Sequence, residues 1–315
     1  MDHEVVIVGS GFSGIGAAIE LGRAGFDDVL LLESGDRFGG TWQWNTYPGV
    51  AVDIPSFSYQ FSFDKRGDWS RVYAPGEELR QYAESCATKH GLHARARFGT
   101  RVDSATFDDT RDLWTLTTST GDEISARHVV DATGALTHPR KPDIPGVEDF
   151  AGITQHTARW DHSKGTAGKR VGVIGTGASA VQLIPAIVEE AQHVTVFQRT
   201  PIWCLPKYDG PIGRLARSVL SRVPGAKALM RAISQVFVEL AFPFAFHYYG
   251  LLPAAKFAQR SAVKYLEREV RDPVVRDKLT PRYALGCKRP SFHNEYLATF
   301  NRPDVHLETT SIERV

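Results

Sequence analysis

The hydrophobic positions of this chain fall into three kinds of pattern. Short apolar runs stand at residues 5–8 (VVIV), 29–32 (VLLL) and 171–174 (VGVI), and a β-branched run with polar members at 194–198 (VTVFQ). Runs of this length, rich in β-branched residues, predict parallel strands covered on both faces. Between the members of each pair, residues 15–24 and 180–191 carry apolar positions at helical spacing. The pattern therefore predicts a strand–helix–strand unit twice. Residues 101–131 break at DDTRD and STGDE and predict a three-stranded meander. Residues 212–279 are helical in character. Residues 138–146, HPRKPDIPG, read as a linker, and residues 150–162, FAGITQHTARWDH, follow neither a helical nor a strand period.

The turns of the two units carry the chemistry. Gly9, Gly11 and Gly14 follow the first strand at G-x-G-x-x-G spacing, and Glu33 ends the second. Such glycines permit a tight turn, a close approach to a pyrophosphate, and close packing of helix on strand. The helix N-terminus offers its N–H groups to phosphate, and the carboxylate can accept ribose hydroxyls. Gly175, Gly177 and Ala180 repeat the pattern as G-x-G-x-x-A, but Arg199 stands where the first unit has Glu33. A carboxylate repels a 2′-phosphate, whereas an arginine pairs with one. The first unit is thus expected to take a dinucleotide without that phosphate, and the second NADPH. Two such units in one chain predict a flavoprotein that receives hydride from NADPH.

Other segments add less by themselves. GGTWQWNTYPG, residues 39–49, places two glycines and two tryptophans near the first unit and reads as a loop packed on a flat ring. Asp53 is the sole acid between Asp36 and Asp64. The turn ATG, residues 132–134, follows an apolar strand.

Bulk composition narrows the function class. The 315 residues are 42% hydrophobic and 23% charged, ordinary for a globular protein of about two domains. A net charge of +1 gives no reason to expect nucleic acid as a partner. Three cysteines, Cys86, Cys204 and Cys287, form no redox pair or zinc spacing, and the eleven histidines form no metal motif. The start MDHEVVIVGSG has no signal-peptide character, so a cytoplasmic location is expected. An uncharged stretch at residues 240–255 is shorter than the roughly 20 residues of a spanning helix and contains two prolines. Core packing is the expectation there, with interfacial membrane contact the less favoured alternative.

Together these residues resemble the class B flavoprotein monooxygenases, and among them the Baeyer–Villiger monooxygenases. The family fingerprint F-x-G-x-x-x-H-x-x-x-W, followed by Pro or Asp, is matched by Phe150, Gly152, His156, Trp160 and Asp161 at every spacing. GGTW, YPG and Asp53 look like the family's flavin-side loop, ATG like its flavin-domain turn, FQRTP like its NADP segment, and residues 278–305 like its active-site segment. The resemblance implies that flavin reduced by NADPH reacts with O2 and inserts one oxygen atom beside a ketone carbonyl. It implies FAD contacts from Gly9, Gly11, Gly14, Glu33, Gly40, Thr41, Trp42, Val102, Ala132, Thr133 and Gly134. It implies NADPH contacts from Gly175, Thr176, Gly177, Ser179, Ala180, Arg199 and Thr200. Arg289, in CKRP, takes the position of the active-site arginine, where a guanidinium can stabilise oxyanions. Asp53 takes the position of its partner carboxylate, and His156 and Trp160 those of residues that couple the domains.

The implied fold is α/β: two Rossmann-like dinucleotide-binding domains with a helical insert in the second. The flavin domain is residues 1–140, the linker with the fingerprint 141–168, the NADP domain 169–208 with 283–315, and the insert 209–282. Family members continue beyond residue 315, so a truncated chain with an incomplete flavin domain is expected. The sequence also departs from the family at Thr46, at Val50, Ala51 and Val52, and at SFHNEYL after KRP. Oxidation of sulfur or nitrogen in a lipophilic substrate, or an inactive fragment, are the alternatives.

Overall fold

A computed structural model describes residues 1–242 and 253–315. Part of the uncharged stretch at 240–255 thus lies outside the described residues. The chain divides into two compact units, residues 1–46 with 76–140 and residues 47–75 with 141–315.

The first unit opens with β1 (His3–Val8), α1 (Phe12–Arg23) and β2 (Val29–Leu32). The short α2 (Thr41–Trp44) and then α3 (Gly76–Lys89) follow, before β3 (Ala96–Arg97), β4 (Val102–Asp108), β5 (Leu113–Thr118) and β6 (Glu123–Asp131). The six strands lie in the order β3-β2-β1-β6-β5-β4. β1 pairs in parallel with both β2 and β6, while β5 runs antiparallel to β4 and β6. All four residues of β2 are buried, as are Val5, Val6 and Ile7 of β1. This is why these strands read as continuous apolar runs: each such side chain removed from water contributes about 1.5–3 kcal/mol. On α3, Leu79, Tyr82, Ala83, Cys86 and Ala87 form one buried stripe. The i, i+3, i+4 spacing of these residues is legible in the sequence.

The second unit carries β7 (Arg170–Ile174), α4 (Ala178–Ile187) and β8 (His193–Phe197), then β9 (Cys204–Leu205). Helices α5 (Arg214–Arg222), α6 (Ala226–Phe242), α7 (Pro253–Glu269) and α8 (Pro273–Leu279) occupy the insert. β10 (Ser291–Phe292), α9 (Tyr296–Thr299) and β11 (Val305–Glu308) close the chain. β11, β8 and β7 form a parallel sheet, and β10 pairs in parallel with β9. Val181, Ile184 and Ile187 of α4 pack with Val194, Val196 and Leu307 in the core of this unit. Asp272 caps α8 by accepting from the N–H groups of Val274 and Val275, with Pro273 at the first helical position.

Residues 47–75 and the 141–168 connector both fall in the second unit. From sequence, 47–75 is expected in the flavin domain. Its loop grouping is divided accordingly: GGTW belongs to the first unit, and YPG with Asp53 to the second.

Candidate active and cofactor sites

The two glycine-rich turns have the same backbone. Gly9 has φ +102° and Gly175 φ +104°. The residues that start the helices match as well: Gly11 at φ −73°, ψ −169° and Gly177 at φ −72°, ψ 179°. Sequence spacing alone thus produced one local geometry twice, because the αL-side φ at the first position is open to glycine and costly for other residues.

The first turn is also tightly enclosed by its own unit. A Cβ at Gly9 would stand 2.5 Å from the Ala132 carbonyl oxygen, one at Gly14 1.9 Å from the Gly9 carbonyl oxygen, and one at Gly40 2.6 Å from Gly11 Cα. GGTW and ATG therefore meet the turn backbone to backbone, which side chains would prevent. Ala132 N–H donates to the Val8 carbonyl at 2.9 Å, and Thr133 donates through N and Oγ1 to Asp131. Thr133 and Gly134 are exposed beside it, as is Thr41, while Trp42 is buried.

Glu33 is buried and does more than the sequence reading assigned to it. Its carboxylate accepts from Ser10 N and Ser10 Oγ, both at 2.8 Å, from Gly35 N at 2.7 Å and from Ser34 Oγ. It thus ties the end of β2 to the glycine-rich turn, and a ribose would share or displace these donors. Val102 packs against a cluster of Val6, Leu30, Leu32, Leu116, Ile124 and Ala126. Core packing accounts for it without a cofactor.

In the second unit, Thr176 is buried and its Oγ1 donates to the Thr200 carbonyl at 3.0 Å, joining the turn to the end of β8. Ala180 is buried and Ser179 half-buried, while Arg199 is exposed. No ion pair of Arg199 occurs among the described residues. A free guanidinium at the end of the second parallel strand is chemically suited to a phosphate.

YPG seats on this unit. Tyr47 Oη donates to Gln182 Oε1 at 2.8 Å, Gln182 Nε2 donates to the Ala51 carbonyl, and a Cβ at Gly49 would stand 2.4 Å from the Gln182 carbonyl oxygen. The chain then reaches Asp53, which meets Arg289 across 236 positions of sequence: Arg289 Nη2 donates to Asp53 Oδ2 at 2.5 Å. The arginine side chain is 63% exposed and the aspartate 25%. The guanidinium therefore keeps donors available to a second partner.

Lys207, which the sequence reading passed over, belongs to the same cluster. Two residues beyond β9, it donates through Nζ to the Val52 carbonyl at 3.0 Å and lies 4.7 Å from the centre of the Tyr73 ring. Burial lowers the pKa of its ammonium, against the pull of the Asp209 and Asp53 carboxylates. β9 and β10 explain the grouping: Arg289 lies two residues before β10, and Asn294 just after it brackets Lys207 through Lys207 N–H to Oδ1 and Nδ2–H to Lys207 O, each at 2.8 Å. A lone lysine after a short strand carries no pattern that would have revealed this. His293 neighbours it, its Nδ1 accepting from the N–H groups of Glu295 and Tyr296; burial, then the Lys207 charge, bring its pKa down to about 4.

The fingerprint forms a local turn. His156 accepts from Ala158 N–H at Nδ1 and from Arg159 N–H at its carbonyl. Trp160 packs against the core that includes Val181 and Ile184, so the indole anchors the connector to the second unit. Phe150 lies over Gly152, and Asp161 caps the next turn by accepting from Ser163, whose bonds hold its carboxyl below the usual range. The fingerprint His156 and Trp160 and the Asp53–Arg289 pair all lie in the second unit.

A family profile described as pyridine nucleotide-disulphide oxidoreductase matches residues 6–223. A Baeyer–Villiger monooxygenase of Streptomyces coelicolor is 38% identical over 312 residues, 99% of this chain and 59% of that protein. Among solved structures, an oxidized steroid monooxygenase bound to NADP aligns with a TM-score of 0.87 at 33% identity, over 98% of this chain and 65% of its own. OTEMO in complex with FAD and NADP aligns at 0.83 and 30% identity, over 99% of this chain and 66% of its own. The chain thus spans somewhat under two thirds of the relatives it matches. No cysteine pair accompanies the disulphide of the family's description: Cys86 and Cys204 are buried, Cys287 is exposed, and all three are free thiols. The chain belongs to the pyridine nucleotide-disulphide oxidoreductase family and is similar along nearly its whole length to Baeyer–Villiger monooxygenases.

Proposed function

We propose that this chain carries the FAD turn, the NADPH turn and the active-site ion pair of a Baeyer–Villiger monooxygenase, an enzyme that converts a lipophilic ketone to an ester or lactone with O2 and NADPH. The observation that carries the reading is the Asp53–Arg289 pair, built in the same unit as a dinucleotide turn whose strand end presents Arg199. FAD fits the first unit because its glycine-rich turn is enclosed only by backbone at Gly40 and Ala132, leaving an N–H-lined helix start clear of side chains. When bound, the flavin supplies hydride acceptance from NADPH and activation of O2.

The chain's own residues then have defined tasks. Arg199 receives the 2′-phosphate and so selects NADPH over NADH. Arg289 stabilises negative charge on the oxygen being transferred and on the ketone oxygen after attack. Asp53 orients that guanidinium through one of its nitrogens, while Lys207 holds the Val52 carbonyl and with it the loop that carries Asp53. His156 and Trp160 fix the connector on the NADPH unit.

The test is an absorbance spectrum of the purified chain with FAD, followed by anaerobic NADPH, and then product analysis with a ketone and a sulfide in the same vessel. Flavin retention, bleaching by NADPH and ester formation support the reading. Arg289→Ala is expected to keep flavin reduction and lose ketone oxidation. Full ester formation by that variant would refute the role of the pair, and sulfoxide as sole product would favour heteroatom oxidation.

A further inference from the structure

Helix α6 is inside out. A helix in a globular protein turns its apolar stripe to the core and its charged face to water. Here Ser234 is buried, and Lys227, Arg231 and Gln235 are half-buried, whereas Leu229, Ile233, Val236, Phe237 and Leu240 are 51–64% exposed. These five recur at the helical i, i+4, i+7, i+8, i+11 spacing, so they form one continuous ridge of roughly 17 Å. Ser234 Oγ is hydrogen-bonded to Ser58 Oγ at 2.6 Å, which fixes this side, where Met230 and Val238 are also half-buried, inward. On the preceding α5, Leu215 and Val219 are likewise exposed.

The charge of the segment is one-sided. Across α5 and α6 the chain holds Arg214, Arg217, Arg222, Lys227 and Arg231 against one acid, Glu239. An exposed aliphatic and aromatic ridge in a predominantly cationic segment is the composition of a helix lying in the headgroup region of an anionic bilayer, with the exposed Arg214 and Arg222 reaching to the phosphates. Pairing of this face with a second copy would set the same cations against each other. Among the described residues no helix is long and apolar enough to cross a membrane.

We propose that the α5–α6 face docks the protein on the surface of anionic phospholipid bilayers, lying in the interface rather than spanning it. The proposal does not depend on the catalytic reading, and its test needs no turnover. The experiment is co-sedimentation of the purified chain with vesicles of phosphatidylcholine alone and of phosphatidylcholine with phosphatidylglycerol, at low and physiological salt. Binding is expected to require phosphatidylglycerol and to weaken with salt. Ile233→Glu and Phe237→Glu are expected to abolish it, and Arg214→Glu and Arg222→Glu to weaken it by at least roughly fivefold each, the worth of the lost cation. Should the Glu substitutions on α6 prevent folding, as judged by circular dichroism, the exposed Arg222→Glu variant and the salt series decide alone. No binding to either vesicle, equal binding to both, or a Phe237-dependent dimer in solution without vesicle binding would overturn it.

Discussion

Gly14 offers the sharpest test of how the first dinucleotide turn is built. In an ordinary helix, Gly→Ala gains about 1 kcal/mol from backbone entropy. At Gly14 the new methyl would stand 1.9 Å from the Gly9 carbonyl oxygen, against about 3.3 Å for an unstrained carbon–oxygen contact. Relief needs a displacement of roughly 1.4 Å by either the helix start or the turn. Gly9 cannot give easily, since its own Cβ position is closed by the Ala132 carbonyl. Overpacking of this kind costs about 1–3 kcal/mol or more, so the upper part of that range wins over the propensity gain and the net loss is about 2 kcal/mol. In a unit of this size that lowers the melting temperature by roughly 8–9 °C. The assay is thermal unfolding by circular dichroism together with the flavin absorbance of the purified protein. Ala180→Gly is the counterpart in the second unit, where the buried methyl is already present, and it too should destabilise, by about 1–2 kcal/mol. An unchanged or raised melting temperature for Gly14→Ala, with flavin retained, would refute the close packing as the reason for that glycine.

Three further outcomes are expected. Arg199→Glu should weaken NADPH binding by roughly ten- to a hundredfold, the worth of a charge-assisted bond to phosphate, while sparing NADH; equal loss for both, read by nucleotide titration, would show that Arg199 acts on the fold instead. His293 has its folded-state pKa pushed down to about 4 from an ordinary 6.5, so the unfolded chain takes up the proton first and stability is lost as pH falls from 6.5 to about 4, by roughly 2–3 kcal/mol. His293→Asn, which keeps a side-chain acceptor for the Glu295 and Tyr296 N–H groups, should flatten that limb in urea unfolding followed against pH; an unchanged limb would exclude His293 as its origin. Lys207→Met should cost about 1–3 kcal/mol, because the carbonyl of buried Val52 loses its donor; a gain in stability would mean that burying the ammonium outweighs its bond.

What was legible in the sequence was local. The four runs became β1, β2, β7 and β8; β2 is buried throughout and β1 over Val5–Ile7, as a doubly covered parallel strand requires, whereas β7 buries only Val173 and leaves Ile174 49% exposed. The equal φ of Gly9 and Gly175 follows from the spacing of three small residues between a strand and a helix. Arg199 could be placed at a strand end by counting. Contacts between residues distant in sequence carry no periodic signature, and there the reading depended on tertiary structure. Family resemblance alone pairs Asp53 with Arg289; in the fold, β9 beside β10 brings Arg289 near Lys207, and the Lys207 bond to the Val52 carbonyl holds the loop of Asp53 there, 236 positions from Arg289. The second role of Glu33, as a brace on the Ser10 turn, depends on a fold-back that propensity does not encode.

The α6 helix shows the limit most clearly. Its period of 3.6 was readable, and core packing of the insert was the natural expectation. Periodicity states only that a helix has two faces. Which of them the rest of the protein covers is set by the shapes and partners of the surrounding elements, here by Ser58 meeting Ser234, and the apolar ridge is turned to the outside.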